Sequence, residues 1–254
     1  MLLKDFKKDT MRVCIYDSRK SMGIGAAEEA VAYIKDLLAN KEEVNIIFAA
    51  APSQNEFLEA VASSDIDWTR VNAFHMDEYI GLPKDAPQGF GNFLRRAIFE
   101  KVPFKSVSYL NGQIEPQRAC EEYTRLLVEN PVDVVFMGIG ENGHIAFNDP
   151  HVAHFDDSEV VKVVDLDEKC RRQQVNDGCF ATIDDVPTHA MTLTIPTLVK
   201  AERLFCVVPA ATKAWAVNET VNGTIDEHCP ASIMRLHPAA TLYVDSDSGK
   251  MLLN

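Results

Sequence analysis

The chain has no CxxC pair. Its six cysteines, Cys14, Cys120, Cys170, Cys179, Cys206 and Cys229, are scattered, which excludes a zinc ribbon and argues against a disulfide framework; free thiols, mostly buried, are expected. No apolar run reaches the length needed to span a bilayer. The stretch Met1 to Asp9 contains Lys4, Asp5, Lys7, Lys8 and Asp9 and lacks the apolar core of a secretory leader, so the cytoplasm is the expected location. Basic residues are in deficit, 25 against 38 acidic, for a formal net charge of −13. Such a chain repels nucleic acid and anionic membranes at long range, and neither is expected as a partner. An anionic small molecule needs a local cluster of donors to overcome that field. Internal repeats, low-complexity tracts and linkers are absent too. What remains is 254 residues, 46% hydrophobic, enough for one domain over 1–254 with a substantial core.

Alternating strand and helix patterns fill that length. Strands are expected at Met11–Tyr16, Val44–Ala50, Val71–Met76, Val107–Gly112 (with its turn), Val132–Met137, Ala190–Ile195, Leu204–Val208 and Ala240–Val244. Helices are expected at Ser21–Leu38, where Ala27, Val31, Ile34 and Leu38 keep helical spacing, from Glu56, over Gly91–Val102 and Pro116–Leu127, from Ala210 to about Val221, and briefly at Pro230–Arg235. This order predicts an α/β fold: a single-domain, Rossmann-like three-layer sandwich with a mostly parallel central sheet and helices on both faces.

Four places carry candidate chemistry. The first is Gly138-Ile139-Gly140-Glu141-Asn142-Gly143-His144-Ile145-Ala146-Phe147-Asn148-Asp149-Pro150, directly after an apolar strand. Its glycines match GxGxxG by spacing, but Asn148-Asp149-Pro150 breaks the helix that a dinucleotide fold requires. The loop instead offers His144, whose ordinary pKa suits proton transfer, and Asp149 five residues on. The second is Asp77-Glu78-Tyr79, at the end of a strand, where parallel sheets place ligands; a turn or cap role is the plain alternative. His75 falls within the strand and reads as a hydrogen-bonded core histidine. The third is the turn Ala51-Pro52-Ser53-Gln54-Asn55 between a strand and a helix, which either points backbone N–H groups at an anion or is a simple connection capped by Ser53 or Asn55. The fourth is Lys213, at a helix start. The polar stretch from Asp156 to Gln174 reads as a lid, a substrate wall or a solvated face.

Three segments together resemble one family. His75-Met76-Asp77-Glu78-Tyr79-Ile80-Gly81-Leu82-Pro83 is similar to the MDEYxGLP signature of glucosamine-6-phosphate deaminases. Gly138 to Pro150 is similar to their GxGxDGHIAFNEP loop, and Val208–Lys213, with Leu236-His237-Pro238 and the final strand, to their C-terminal part. The likeness runs in order from about residue 44 to 245. The wider superfamily includes 6-phosphogluconolactonases, whose first motif usually reads DER; Tyr79 and Ala146-Phe147-Asn148 favour the deaminase branch. The resemblance implies aldose–ketose isomerising deamination of a hexosamine 6-phosphate without metal or other cofactor. Asp77 would be the base between C2 and C1, and His144 would open the sugar ring. Asp149 and Asn142 would orient His144, and Ala51, Ser53, Gln54 and Lys213 would bind phosphate. Sugar-lactone hydrolysis and sugar-phosphate binding without turnover are the alternatives, and a homo-oligomer is compatible with the sequence. The departures are Asn142 where the family has Asp, Asp149 where it has Glu, and Ala49–Asn55 in place of a Gly-rich phosphate loop. The family's phosphate-binding arginine has no clear match; alignment puts it near Asp177, a few residues past Arg171 and Arg172.

Overall fold

The computed structural model describes residues 1–253. Eleven strands and seven α-helices follow in chain order: β1 Leu2–Lys8, β2 Met11–Tyr16, α1 Arg19–Asn40, β3 Val44–Phe48, α2 Asn55–Ala62, β4 Val71–His75, β5 Asp77–Tyr79, α3 Phe90–Leu94, β6 Ser106–Ser108, α4 Pro116–Glu129, β7 Val134–Met137, β8 Val161–Asp165, α5 Glu168–Asn176, β9 His189–Leu193, α6 Ile195–Val199, β10 Arg203–Val208, α7 Ala214–Asn222 and β11 Ala240–Asp245. Eight strands form the main sheet in the order β1-β2-β11-β10-β7-β3-β4-β6. All neighbours are parallel except β1 and β2. Successive residues of β3 explain the three layers. Ile46 and Phe48 face a core built with α1 and α2, while Ile47 faces one built with α4 and α7, the period-2 alternation of a strand covered on both faces.

From β3 the chain builds outward through β4 and β6, then returns to place β7 on the other side of β3 and continues through β10 and β11. Between β3 and β7 the direction of construction therefore reverses. The loops that leave neighbouring carboxyl ends there part and open a crevice. Fully buried Phe48 and Phe136 sit opposite each other in register at this seam and meet edge-on, centroids 5.2 Å apart.

Several elements differ from expectation. β1 is an added antiparallel edge strand whose charged, half-exposed pattern carries little strand signal; Arg12 secures it by hydrogen bonds to both carboxylate oxygens of Asp5. The fourth strand ends at His75, and after Met76 alone the chain enters a second sheet, β5-β9-β8, all antiparallel. Asp77 thus begins a strand rather than following one. Part of the polar stretch is β8 and α5, and α5 lines the crevice with Gln173 and Gln174. Ala190–Ile195 is shortened because Pro196 opens α6. Gly91–Val102 holds an α-helix only through Leu94; Arg95–Phe99 forms a wide π-type turn, and Pro103 disfavours helical geometry at Val102. Neither Ser53 nor Asn55 caps α2, whose N-cap position is Gln54 without a side-chain bond. All six cysteines are free, five of them buried.

Candidate active site

The crevice between the ends of β3 and β7 gathers Ala51, Ser53, Gln54, Asp77, His144 and Lys213 on its walls. Asn142 and Asp149 stand directly behind His144. All eight residues singled out from the sequence thus meet in one place.

The His144 loop is folded on itself. Gly140 N–H donates to the His144 carbonyl at 2.8 Å, and Gly143 N–H to the Gly140 carbonyl at 3.0 Å. Gly143 lies in the left-handed region with φ 86°. Gly140 has no room for a side chain, since a Cβ there would lie 2.1 Å from the imidazole. The ring is thereby pressed against bare backbone. Its Nδ1 is 2.7 Å from Asn142 Oδ1 and 3.0 Å from Asp149 Oδ1. Both are acceptors, so Nδ1 carries the proton and Nε2 is left as the exchangeable position. Asn142 Nδ2 in turn donates to Asp149 Oδ1 at 2.9 Å, and Asp167 N–H donates to Asp149 Oδ2 at 3.0 Å. Burial raises the Asp149 pKa, but the hydrogen bonds and charge of His144, with Asn142 and Asp167, outweigh it and hold the carboxyl below its ordinary value. Asp is one methylene shorter than the Glu of the related motif, yet its Oδ1 lies 3.0 Å from His144 Nδ1 and the side chain is fully buried.

Asp77 is set differently. Its backbone pairs with Thr192 of β9 and its side chain is buried, with Oδ1 lacking any hydrogen-bond partner. Burial pushes its pKa well above the ordinary carboxylate value, and the neighbouring charge of Glu78 adds to the shift. Glu78 points away, accepting the backbone N–H groups of Tyr79, Phe90 and Gly91.

Lys213 is 4% exposed, and among the described residues it makes no ion pair. Burial lowers its pKa, with Asp177, Glu141 and Cys170 acting in the opposite sense. Its turn is held from behind: Ala210 adopts φ 84°, costly for a residue with a Cβ, and its N–H donates to the buried Asp245 carboxylate at 3.1 Å. Lys213 N–H then closes on the Ala210 carbonyl. Across the crevice, Gln54 Nε2 donates to the Val207 carbonyl and to Ser53 Oγ, leaving the serine hydroxyl proton free and Gln54 Oε1 unpaired. A Cβ on Gly138 would meet Gln54 Nε2 at 2.9 Å, so this close approach requires glycine.

Arg171 and Arg172 do not reach the crevice. Arg171 donates to the carbonyls of Ile183 and Val186, and Arg172 pairs with Glu168 at the surface. The same helix contributes two residues that the sequence reading passed over, Gln173 and Gln174. Gln173 Oε1 accepts the Glu141 N–H at 2.8 Å. The sequence offered only the helical spacing of Cys170, Gln173 and Gln174 at i, i+3 and i+4, and their burial shows only once α5 is packed. Phe90, stacked on Phe147 at 5.3 Å, was also missed. His75 is fully buried as expected, but neither ring nitrogen is hydrogen-bonded, and burial lowers its pKa to about 3.

Among the described residues one set of side chains has metal-ligand potential, His144, Asp149 and Cys170, with ligand atoms within 4.8 Å of one another. Burial, with Asp149 beside it, raises the Cys170 pKa well above the ordinary thiol value. The thiol of the free protein therefore keeps its proton.

The glucosamine-6-phosphate isomerase/6-phosphogluconolactonase family model matches residues 17–243. The chain belongs to that family. A glucosamine-6-phosphate deaminase of Listeria welshimeri serovar 6b is 35% identical over 212 residues, 83% of this chain and 88% of that protein. One of Bacillus cereus strain G9842 is 33% identical over 223 residues, 87% and 83% of the two chains. A monomeric glucosamine-6-phosphate deaminase of solved structure superposes with a TM-score of 0.83 at 26% identity, covering 94% of this chain and 99% of its own. The 6-phosphogluconolactonase of Thermotoga maritima superposes at 0.75 with 19% identity, covering 92% and 99%, a likeness of fold.

Proposed function

We propose that this chain converts glucosamine 6-phosphate, or an epimer, and water into the corresponding ketohexose 6-phosphate and ammonia. The observation that carries the reading is a pair of buried, unpartnered groups in one crevice with His144: the Asp77 carboxyl and the Lys213 ammonium. An unpaired buried charge is expensive unless a ligand completes it. Lys213, helped by the Ser53 hydroxyl, which Gln54 Nε2 positions, and by the backbone at Ala51, takes the phosphate. His144 exchanges a proton through Nε2 with the ring oxygen and opens the pyranose, with Asn142 and Asp149 fixing the tautomer. Asp77 then removes the C2 proton and returns it to C1. The C2 amine becomes an imine, water adds at C2, and ammonia leaves. A raised carboxylate pKa favours such carbon-acid work by making the base stronger. The neutral amide of Gln174 completes the phosphate end in place of a second cation, and the unpaired Gln54 Oε1 is left to accept a substrate hydroxyl.

No described helix is long and apolar enough to cross a membrane, and a cytoplasmic location belongs to the same reading. The test is ammonia release from a panel of amino-sugar 6-phosphates, with 6-phosphogluconolactone hydrolysis in parallel. Release from at least one amino sugar is expected. Lactone hydrolysis alone, or binding without turnover, would overturn the assignment.

A further inference from the structure

A concavity larger than the crevice lies beside the strand that carries Asp77. It lies on the other side of β5 and encloses about 430 Å³, against about 50 Å³ for the crevice. That volume is in the range of small-molecule sites. Its wall presents the Glu78 carboxylate, Asn92, Tyr109 and Asn111, with Lys84 and Arg95 at the rim. The polar atoms are unevenly used. Asn92 Nδ2 is committed to the carbonyls of Lys84 and Ala86, which leaves Oδ1 toward new partners. Asn111 Oδ1 accepts the Gln113 N–H, which leaves Nδ2. The Tyr109 hydroxyl is half-exposed and unbonded. Lys84 makes no ion pair among the described residues, and Arg95 has only a loose exposed contact to Glu100 at 3.4 Å. In a chain of net charge −13, one unpaired and one loosely paired cation over one cavity form a local anion-attracting rim.

We propose that this cavity is a second binding site for a small polyhydroxylated monophosphate, a sugar phosphate, independent of the catalytic crevice. The phosphate meets Lys84 and Arg95, where a guanidinium gives paired, charge-assisted bonds. Hydroxyl groups meet Glu78, Asn92 and Asn111, and the Tyr109 ring covers one sugar face. The floor is rigid because Glu78 already accepts three backbone N–H groups, and Gly112 packs so closely that a Cβ would lie 2.9 Å from the Tyr79 carbonyl. The site also borders the catalytic one through a single segment. Gly89, Gly91 and Asn92 face this cavity, while Phe90 between them walls the crevice. A ligand here touches the segment that carries that wall.

The experiment uses glucitol 6-phosphate, which has no carbonyl or amine to react, so the outcome does not depend on the deaminase reading. Titration of the Lys213→Ala chain by calorimetry and by amide NMR isolates the second site. Saturable binding of one molecule per chain is expected, with shifts at Tyr109, Asn111 and Gln113. Adding Lys84→Ala and Arg95→Ala should weaken it by about tenfold or more, as should removing the phosphate from the probe. Both basic residues are at the surface, and the Asp77 crevice is untouched by their loss. Three results would each overturn the proposal: no saturable binding to Lys213→Ala below roughly 10 mM, shifts confined to the crevice, or affinity unchanged by the paired substitution.

Discussion

The two halves of the crevice are built on opposite principles. Behind His144, the Nδ1 proton, the Asn142 amide and the Asp149 carboxylate satisfy one another, and the Asp167 N–H closes the set. Facing it, Asp77 Oδ1 and Gln54 Oε1 are buried without partners, and the Lys213 ammonium is buried without an ion pair. A satisfied network holds its own geometry whether or not substrate is present. An unsatisfied group stores free energy that only a ligand releases. On the proposed function, orientation falls to the first half and binding with reactivity to the second, so substitutions in the two should fail in different ways.

Asp77→Asn should show the largest effect. Ammonia release is expected to fall by about 10²- to 10⁴-fold, while a sugar phosphate still protects the fold. Stability should move the other way. The folded carboxyl has a raised pKa, so the native state keeps a proton that the unfolded state has released. Native stability therefore falls as pH rises from the ordinary carboxylate range, near 3.9, through the folded value, and the amide removes that loss. Melting curves across pH should show the variant's advantage growing toward alkaline pH. Wild-type turnover, or an advantage largest in acid, would break the contrast.

Asp149→Ala strikes the satisfied half. It leaves the Asn142 Nδ2 and Asp167 N–H donors without that acceptor and His144 Nδ1 with Asn142 Oδ1 alone, and urea unfolding should show a cost of about 3 kcal/mol at neutral pH. The sign with pH is opposite to that of Asp77. A depressed folded pKa contributes stability present above the unfolded value and lost as pH falls through the folded one. Wild type and variant should converge in acid.

The contrast also separates what was legible in the sequence. The parallel core announced itself through β-branched runs such as Val134–Phe136, and the satisfied half through one contiguous loop, Gly138–Pro150. Three separate segments supply the other half, and only similarity to known motifs linked Asp77 with Lys213. Two things were hidden for physical reasons. The short β5 owes its pairing to a distant partner, Ala190–Thr192. Strand β1 pairs with Met11–Tyr16 just across the Asp9-Thr10 turn, but it is charged and half-exposed, so its own pattern carries little strand signal. Gln173 and Gln174 look like solvated residues until α5 packs them over the Glu141 backbone. The unbonded state of His75 was equally invisible, since burial is encoded in the strand pattern but hydrogen bonding is not.

Lys213→Ala should weaken binding rather than chemistry. The phosphate is remote from C1 and C2, so its contact acts alike on ground and transition states. KM is expected to rise roughly 10- to 100-fold with kcat nearly unchanged. Burial has lowered the lysine pKa, so its removal should not destabilise the free protein at neutral pH. A fall in kcat with constant KM would assign Lys213 to the reacting atoms instead.

The smallest effect tests the satisfied half most directly. Asn142→Asp replaces the Nδ2 donor, 2.9 Å from Asp149 Oδ1, with an oxygen. Two carboxylates at that separation cannot both ionise without a proton between them or on the imidazole they share. Whichever atom holds it, the native state then binds one more proton than the unfolded chain near neutrality. Stability must consequently rise as pH falls, because the slope follows the difference in bound protons. Urea midpoints should show a loss of about 1–2 kcal/mol at pH 8 that shrinks by pH 6. Ammonia release should retain the wild-type order of magnitude, since Asp77 and Lys213 are untouched. An equal loss at both pH values would mean that the new carboxylate had turned away from Asp149. The orientation of His144 would then rest on Asp149 and the pressure of Gly140 alone.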